Sequence, residues 1–196
     1  MPRRKSISDE EILERALPVI ARAGPAGFTL ADIAAEIGLS PATLLQRFGD
    51  KKTLVERAFA RDNARFVEWI AALPRGHGEA ATLAVYRAAI VDFHTDSDPE
   101  LSEHLLWLRE DIRDPVFNAL ARERFAMFRA AILQRLPPVR PPPEEVARML
   151  DAQMHGAIIQ WAIEPQGSLT YYVMQSLSAL LRLAVMKPDE QAPGRD

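Results

Sequence analysis

Residues 28–54 read FTLADIAAEIGLSPATLLQRFGDKKTL, and their local signals describe two short helices joined by a tight turn. Thr29, with Asp32 three residues on, forms a capping pair for the first helix. Leu30, Ile33, Ala34 and Ile37 make its inward face, and Gly38 supplies a left-handed C-terminal cap. Leu39 can plug the angle between the helices. Ser40 caps the second helix, and Pro41 occupies its first turn, where a missing N–H is harmless. Ala34 is small where two helices must come close. Together these features are what a helix-turn-helix requires.

On a wheel of about 100° per residue, Leu44 and Phe48 of the second helix point inward. Ala42, Thr43, Gln46 and Arg47 gather on the opposite side, and Leu45 lies near the boundary. A helix of this width fits the major groove of DNA. There Arg can bond guanine, Gln can bond adenine, and Ala or Thr methyls can touch a thymine methyl. A solvated surface helix would also carry Thr, Gln and Arg, but it would not need the caps, turn and core that accompany them here.

Upstream, Ser8 followed by Glu11 marks the start of another helix, and Ile12, Leu13, Ala16, Leu17, Ile20 and Ala21 form its apolar stripe. Gly24 and Pro25 are expected to end it. Pro18 lies inside the stripe and removes one backbone bond, at roughly 3 kcal/mol in a free helix. A bend near Glu14 or a late, irregular start is therefore expected. Further upstream, Arg3, Arg4 and Lys5 suit either a flexible arm reaching phosphates or a solubilising terminus.

Downstream, apolar residues recur at three and four with no sustained alternation, so the rest of the chain also reads as helix. Helices are expected over about 51–73, 79–94, 99–111, 115–136, 143–163 and 168–187, with breaks at LPRGHG, HTDSDP, RDP, LPPVRPPP and EPQG. The last helix carries the stripe Leu169, Tyr172, Val173, Ser176, Leu177, Leu180, Leu181, Ala184 and Val185, while Met174, Ala179, Leu183 and Met186 lie off it. One face can pack the core and another a partner. Gly156, beside Ala152 and Ala157, permits close helix approach, either across a two-fold axis or within one chain. The expected division is a head over residues 1–50, a helical body over 51–187 and a disordered tail over 188–196.

The whole chain has 196 residues, 48% hydrophobic content, a net charge of -3 and no cysteine. That length can bury a substantial core. The absence of cysteine excludes disulfides, thiolate catalysis and thiol redox sensing in the monomer. The net charge is poorly suited to coating nucleic acid, although Arg47, Lys51 and Lys52 cluster enough to meet a few phosphates. The apolar runs are too short to span a bilayer, and MPRRKSISDEEI places acidic residues where a signal peptide would be apolar, so a cytoplasmic protein is expected. There is no Gly-rich phosphate loop, nucleophile elbow or HExxH, which leaves an enzyme reading without support. No cofactor is implied. The run Asp92, His94, Asp96, Asp98 lacks the ligand count and glycine of a calcium loop, so no metal site is expected.

Over roughly Ser8 to Phe59 the sequence resembles the tetracycline-repressor (TetR) family of bacterial regulators. The resemblance is carried by the stripe of the first helix, Gly24, Thr29, the run DIAAEIGLS, Thr43-Leu44, Phe48, and Lys51 followed by Leu54. It implies a DNA-binding head on an all-helical, ligand-binding body, a homodimer, and usually repression relieved by a small molecule. It also implies that Thr29 and Lys51 touch the DNA backbone. Leu45 departs from the family, which commonly has a tyrosine there, and Gln46 and Arg47 replace the frequent His or Tyr. The operator word is therefore not transferable.

The expectation is an all-α regulator with an N-terminal three-helix helix-turn-helix and a C-terminal helical domain for ligand binding and dimerisation. It would read a palindromic double-stranded operator through Thr29, Ala42, Thr43, Leu45, Gln46, Arg47 and Lys51. A small apolar or amphipathic effector would be lined by Trp107, Phe128, Met154, His155 and Trp161, with Phe125 and Met127 on the same middle helices. The same side chains also suit a plain core, and His104 and His155 suit structural roles. The alternative from another class is a helical small-molecule-binding or scaffold protein whose head does not bind DNA.

Overall fold

A computed structural model describes residues 7–93, 108–109 and 111–186. Arg3 to Lys5, the acidic run beyond Asp92, His104, Trp107, most of the helix expected over 99–111 and the 188–196 tail lie outside the described residues. The described chain is α-helical without named strands: α1 (Asp9–Gly27), α2 (Leu30–Ile37), α3 (Pro41–Phe48), α4 (Lys51–Ala72), α5 (Glu79–Phe93), α6 (Pro115–Leu133), α7 (Pro143–Ile163) and α8 (Leu169–Ala184). The only pairing of strand type among these residues is a single bridge between Val139 and Val185.

For the first helix, one of the two alternatives offered by Pro18, a late start, is excluded, and the expected end is corrected. Ser8 caps α1, its hydroxyl accepting from the Glu11 amide at 3.1 Å, so the helix starts at Asp9 rather than late. It also passes through Gly24 and Pro25 and ends at Gly27. Pro18 costs one backbone bond, yet Ile12, Leu13, Ala16, Val19 and Ile20 on the buried face hold the helix by packing. At the other end of the chain, α8 stops at Ala184, where the Val185 amide still reaches the Leu181 carbonyl. Val185 then turns extended and the chain pairs with the proline-rich linker, Arg140 donating to the Ala184 carbonyl and Met186 to that of Pro138.

Residues divide into two compact units, one comprising the described parts of 1–69 and 102–124, the other those of 70–101 and 125–196. In the first, α1, α2 and α3 pack around Ile12, Ile20, Phe28, Ile33, Ala34, Leu44, Phe48 and Leu54. In the second, α8 lies against both α5 and α7, and Leu150, Ala157, Val173, Leu177 and Leu181 are fully or almost fully buried. Arg135 is buried there too. Its guanidinium donates to the carbonyls of Pro74 and Ala131, while its own carbonyl accepts from Gly78 and the Thr82 hydroxyl. This small network ties the loop before α5 to the end of α6.

Candidate nucleic-acid interface

The geometry of the first unit starts with its caps. Asp32 accepts from both the amide and the hydroxyl of Thr29, at 2.7 and 2.8 Å, and its own amide returns to the Thr29 hydroxyl at 3.3 Å. Those bonds hold the Asp32 carboxyl below its ordinary range. Gly38 then adopts φ 75°, a left-handed conformation that favours glycine, and the Leu39 amide bonds the Ala34 carbonyl at 2.9 Å. Ser40 restarts the chain by accepting from the Thr43 amide. Two helices therefore leave the turn with both ends satisfied.

α3 buries Leu44 and Phe48 and turns Ala42, Leu45 and Gln46 outward. Leu45 is 47% exposed, so it belongs to the open face rather than to a boundary with the core. Thr43 is half-buried, its hydroxyl 2.8 Å from that of Ser40. Arg47 does not lie with the others. Its Nε donates to Asp9 Oδ1 at 2.7 Å and its Nη1 to the Ile7 carbonyl at 2.8 Å. The wheel cannot see that α1 presents a carboxylate within reach of a long side chain.

Asp9 is shared, because Arg57 of α4 approaches its other oxygen at 3.3 Å. Burial alone would raise the Asp9 carboxyl, but the bonds and charges of Arg47 and then Arg57 outweigh it and hold it below the usual range. Glu14 and Arg61 make a second tie between α1 and α4 at 2.6 Å. Neither acid stood out in the sequence, since a carboxylate on a helix surface has no spacing that names its partner.

Lys51 opens α4, donates to the Phe28 carbonyl and sits 3.9 Å from the centre of the Phe28 ring. It is thereby pinned next to Thr29, and the two residues expected at the DNA backbone come together. Lys52 is largely exposed, 3.6 Å from Glu56 and 3.8 Å from Asp114. The open face of α3 is uncharged, and cations flank it.

The described ligand candidates fall on α6 and α7 of the second unit. Phe128, Met154 and Trp161 are buried, and His155 is half-buried. Phe128 meets Tyr86 edge-on with ring centres 5.4 Å apart, and Phe125 meets His155 at 5.3 Å. Trp161 sits two turns further along α7, its indole donating to the Gly167 carbonyl at 3.1 Å. Sequence reading passed over Tyr86 and Asp151. Both are buried, and neither the Tyr86 hydroxyl nor Asp151 Oδ1 meets a hydrogen-bonding protein group.

Residues 12–58 match the pattern of the bacterial regulatory proteins of the tetR family. Comparison with curated proteins gives no match. Among solved structures, a TetR transcription regulator from Haloarcula marismortui is 19% identical with a TM-score of 0.71, over 91% of this chain and 98% of that one. A TetR-family regulator from Cytophaga hutchinsonii is 20% identical with a TM-score of 0.66, over 93% and 100%. A proposed transcriptional regulator from Saccharomonospora viridis, in complex with choline, is 22% identical with a TM-score of 0.70, over 89% and 95%. These likenesses establish the fold over about nine-tenths of the chain.

Proposed function

We propose that the chain, whose residues 12–58 match the pattern of the tetR family of bacterial regulatory proteins, is a one-component transcription repressor that reads a palindromic operator as a homodimer. The observation that carries this reading is the capped helix-turn-helix, with Ala42, Leu45 and Gln46 exposed on α3 and Thr29 and Lys51 side by side at its flank. Thr29 and Lys51 meet the phosphate backbone. Ala42, Thr43, Leu45 and Gln46 enter the major groove, Leu45 against a thymine methyl. Arg47 joins them by leaving Asp9 for the DNA. The head, residues 1–50, reads; the body, 51–187, binds ligand and dimerises.

The dimer reading draws on α7. Met149, Ala152, Gly156, Ile159 and Ile163 fall within about 100° of one another on the helix wheel, and none is buried. A Cβ added at Gly156 would meet nothing within 4 Å in this chain. Packing inside one protomer therefore does not call for a glycine there, whereas close approach of a second α7 does. A hydrophobic stripe of this kind needs covering.

The effector is a small apolar or amphipathic molecule held by the body near Phe128, Met154 and His155, with Trp161 further along the same helix. The choline held by the Saccharomonospora viridis relative favours an amphipathic compound. Binding releases the operator by favouring a body conformation in which the two heads are wrongly spaced. Among the described residues no helix is long and apolar enough to cross a membrane, which fits action in the cytoplasm.

The test is selection of bound sequences from random duplex DNA by the purified protein. Enrichment of a palindrome is expected. Enrichment of no sequence would favour the alternative, a helical ligand-binding or scaffold protein.

A further inference from the structure

Tyr86 on α5 and Asp151 on α7 each leave a buried polar atom without a protein partner, the hydroxyl of one and Oδ1 of the other. Such a group costs roughly 1–3 kcal/mol unless something pairs with it. Phenylalanine and an apolar residue would fill the same space without that cost, so the two groups invite a functional explanation. They belong to one neighbourhood, for the Tyr86 ring meets Phe128 at 5.4 Å and the next residue, Arg129, bonds Asp151. Burial first, and then the nearby charge of Asp151, pushes the Tyr86 hydroxyl well above its usual range, so it stays a neutral donor and acceptor.

The charges around Asp151 are unevenly solvated. Arg129 reaches Oδ2 through one bond at 3.3 Å. Its side chain is 34% exposed, against 8% for that of Asp151. Water therefore screens the cation more than the anion, and the interior is left with under-neutralised negative charge. His155 is turned toward its own helix by a 2.8 Å contact between its Nδ1 and the Asp151 carbonyl. Phe128 lies edge-on to Tyr86, and Phe125 to His155. Aromatic rings beside a buried carboxylate favour an organic cation.

We propose that Tyr86 and Asp151 form the polar end of the effector site, and that the effector carries a protonated amine. The inference rests on the ligand-responsive reading above and names the chemistry of its ligand. One N–H donates to Asp151 Oδ1, a second to the Tyr86 oxygen, and the apolar part of the ligand lies among the neighbouring rings. A neutral alcohol can make one of these bonds but leaves the charge unbalanced. A carboxylate is repelled.

The test is calorimetric titration of the full-length protein with butylammonium and 2-phenylethylammonium, each beside its neutral match, 1-butanol or 2-phenylethanol. Each ammonium is expected to bind at least about tenfold more tightly than its alcohol, as a charge-assisted bond to a buried group requires. Asp151→Asn should erase the preference, and Tyr86→Phe should weaken ammonium binding about three- to tenfold, with helical circular dichroism retained. Absence of an ammonium preference in the parent, or its persistence in folded Asp151→Asn, would overturn the site; if that variant does not fold, unchanged ammonium affinity in Tyr86→Phe would do the same. DNA selection on the same preparation separates the two readings. A protein that selects a palindrome but ignores both amines loses this site and keeps its regulatory role. One that binds amines through Asp151 but selects no DNA keeps the site and loses that role.

Discussion

Arg47 of α3 donates to Asp9 of α1 at 2.7 Å, so the cation proposed to read bases is held by its own protein. The Ile7 carbonyl adds a second acceptor at 2.8 Å. In contact with DNA, the guanidinium would exchange these partners for a phosphate or a guanine edge. The pair is partly exposed, at 27% and 37% of the two side chains, and such pairs contribute only about 0.2–1 kcal/mol. The exchange is therefore within reach of a single good contact.

Asp9→Asn is accordingly expected to tighten operator binding about 1.4- to fivefold, the equivalent of that pair energy. The same substitution in an Arg47→Ala background should do nothing. Fluorescence anisotropy on a selected operator measures all four corners of the cycle. An equal gain in both backgrounds would mean that Asp9 acts only through bulk charge.

Lys51 is pinned by the Phe28 carbonyl and ring, which fixes its ammonium beside Thr29 at the start of α4. A cation fixed at a helix start makes a phosphate contact that is indifferent to sequence. Lys51→Ala should weaken specific and non-specific DNA alike, and the slope of log affinity against log salt should fall by about 1. An unchanged slope would remove Lys51 from the phosphate contacts.

Leu44 and Leu45 are neighbours with opposite expectations. Leu44 is 1% exposed in the core of the head, so Leu44→Ala should cost about 2–5 kcal/mol in chemical denaturation. Leu45→Ala should shift stability by less than about 0.5 kcal/mol while changing which DNA sequences are selected. A large stability loss at Leu45 would turn that side chain from a reader into a packing residue.

These contrasts show how much of the molecule was readable beforehand. Caps, Gly38 and the inward face of α2 and α3 are local features, set by residues three and four apart, and they stand as expected. So do the starts of α4, α5, α6 and α7. The end of α1 was misjudged because Gly24 and Pro25 are strong local breakers overridden by packing of the helix they interrupt. The wheel groups Arg47 with the open face of α3, but its partner lies 38 residues away, and no periodicity reports such a distance. Tyr86 and Asp151 were missed for a related reason: each looks like an ordinary residue on a helix until burial removes its partners.

Gly156 gives a test of assembly that leaves the protomer intact. Because a Cβ added at Gly156 meets nothing within 4 Å in this chain, Gly156→Leu should leave the fold of a protomer undisturbed and keep two copies of α7 apart. Glycine in a helix interior is also less favourable than an ordinary residue by several tenths of a kcal/mol up to about 1 kcal/mol, so the helix itself should gain. Sedimentation should show a shift from dimer to monomer, accompanied by weaker operator binding. A dimer that persists would place the two-fold interface away from this stripe.

Asp151 makes a pH argument whose sign can be worked out. Burial raises its carboxyl above the ordinary value of 3.8, and the charges of His155 and Arg129 only partly offset this. The folded protein therefore holds the proton more tightly than the unfolded chain does. Its contribution to stability is largest below about pH 3.8 and is lost as pH rises through the raised folded value. Above that value the ionised group is a burden that the single bond from Arg129 relieves only in part, and Oδ1 stays unpaired. Asp151→Asn should hold or raise the melting temperature at pH 7, because the half-solvated Arg129 can turn to water once its partner is neutral. The difference from the parent should shrink as pH falls through that raised value and the parent's carboxyl takes up its proton. Scanning calorimetry across that range checks both expectations. A variant that melts lower at pH 7 would show the Arg129–Asp151 pair to be net stabilising, the opposite of what its uneven solvation implies.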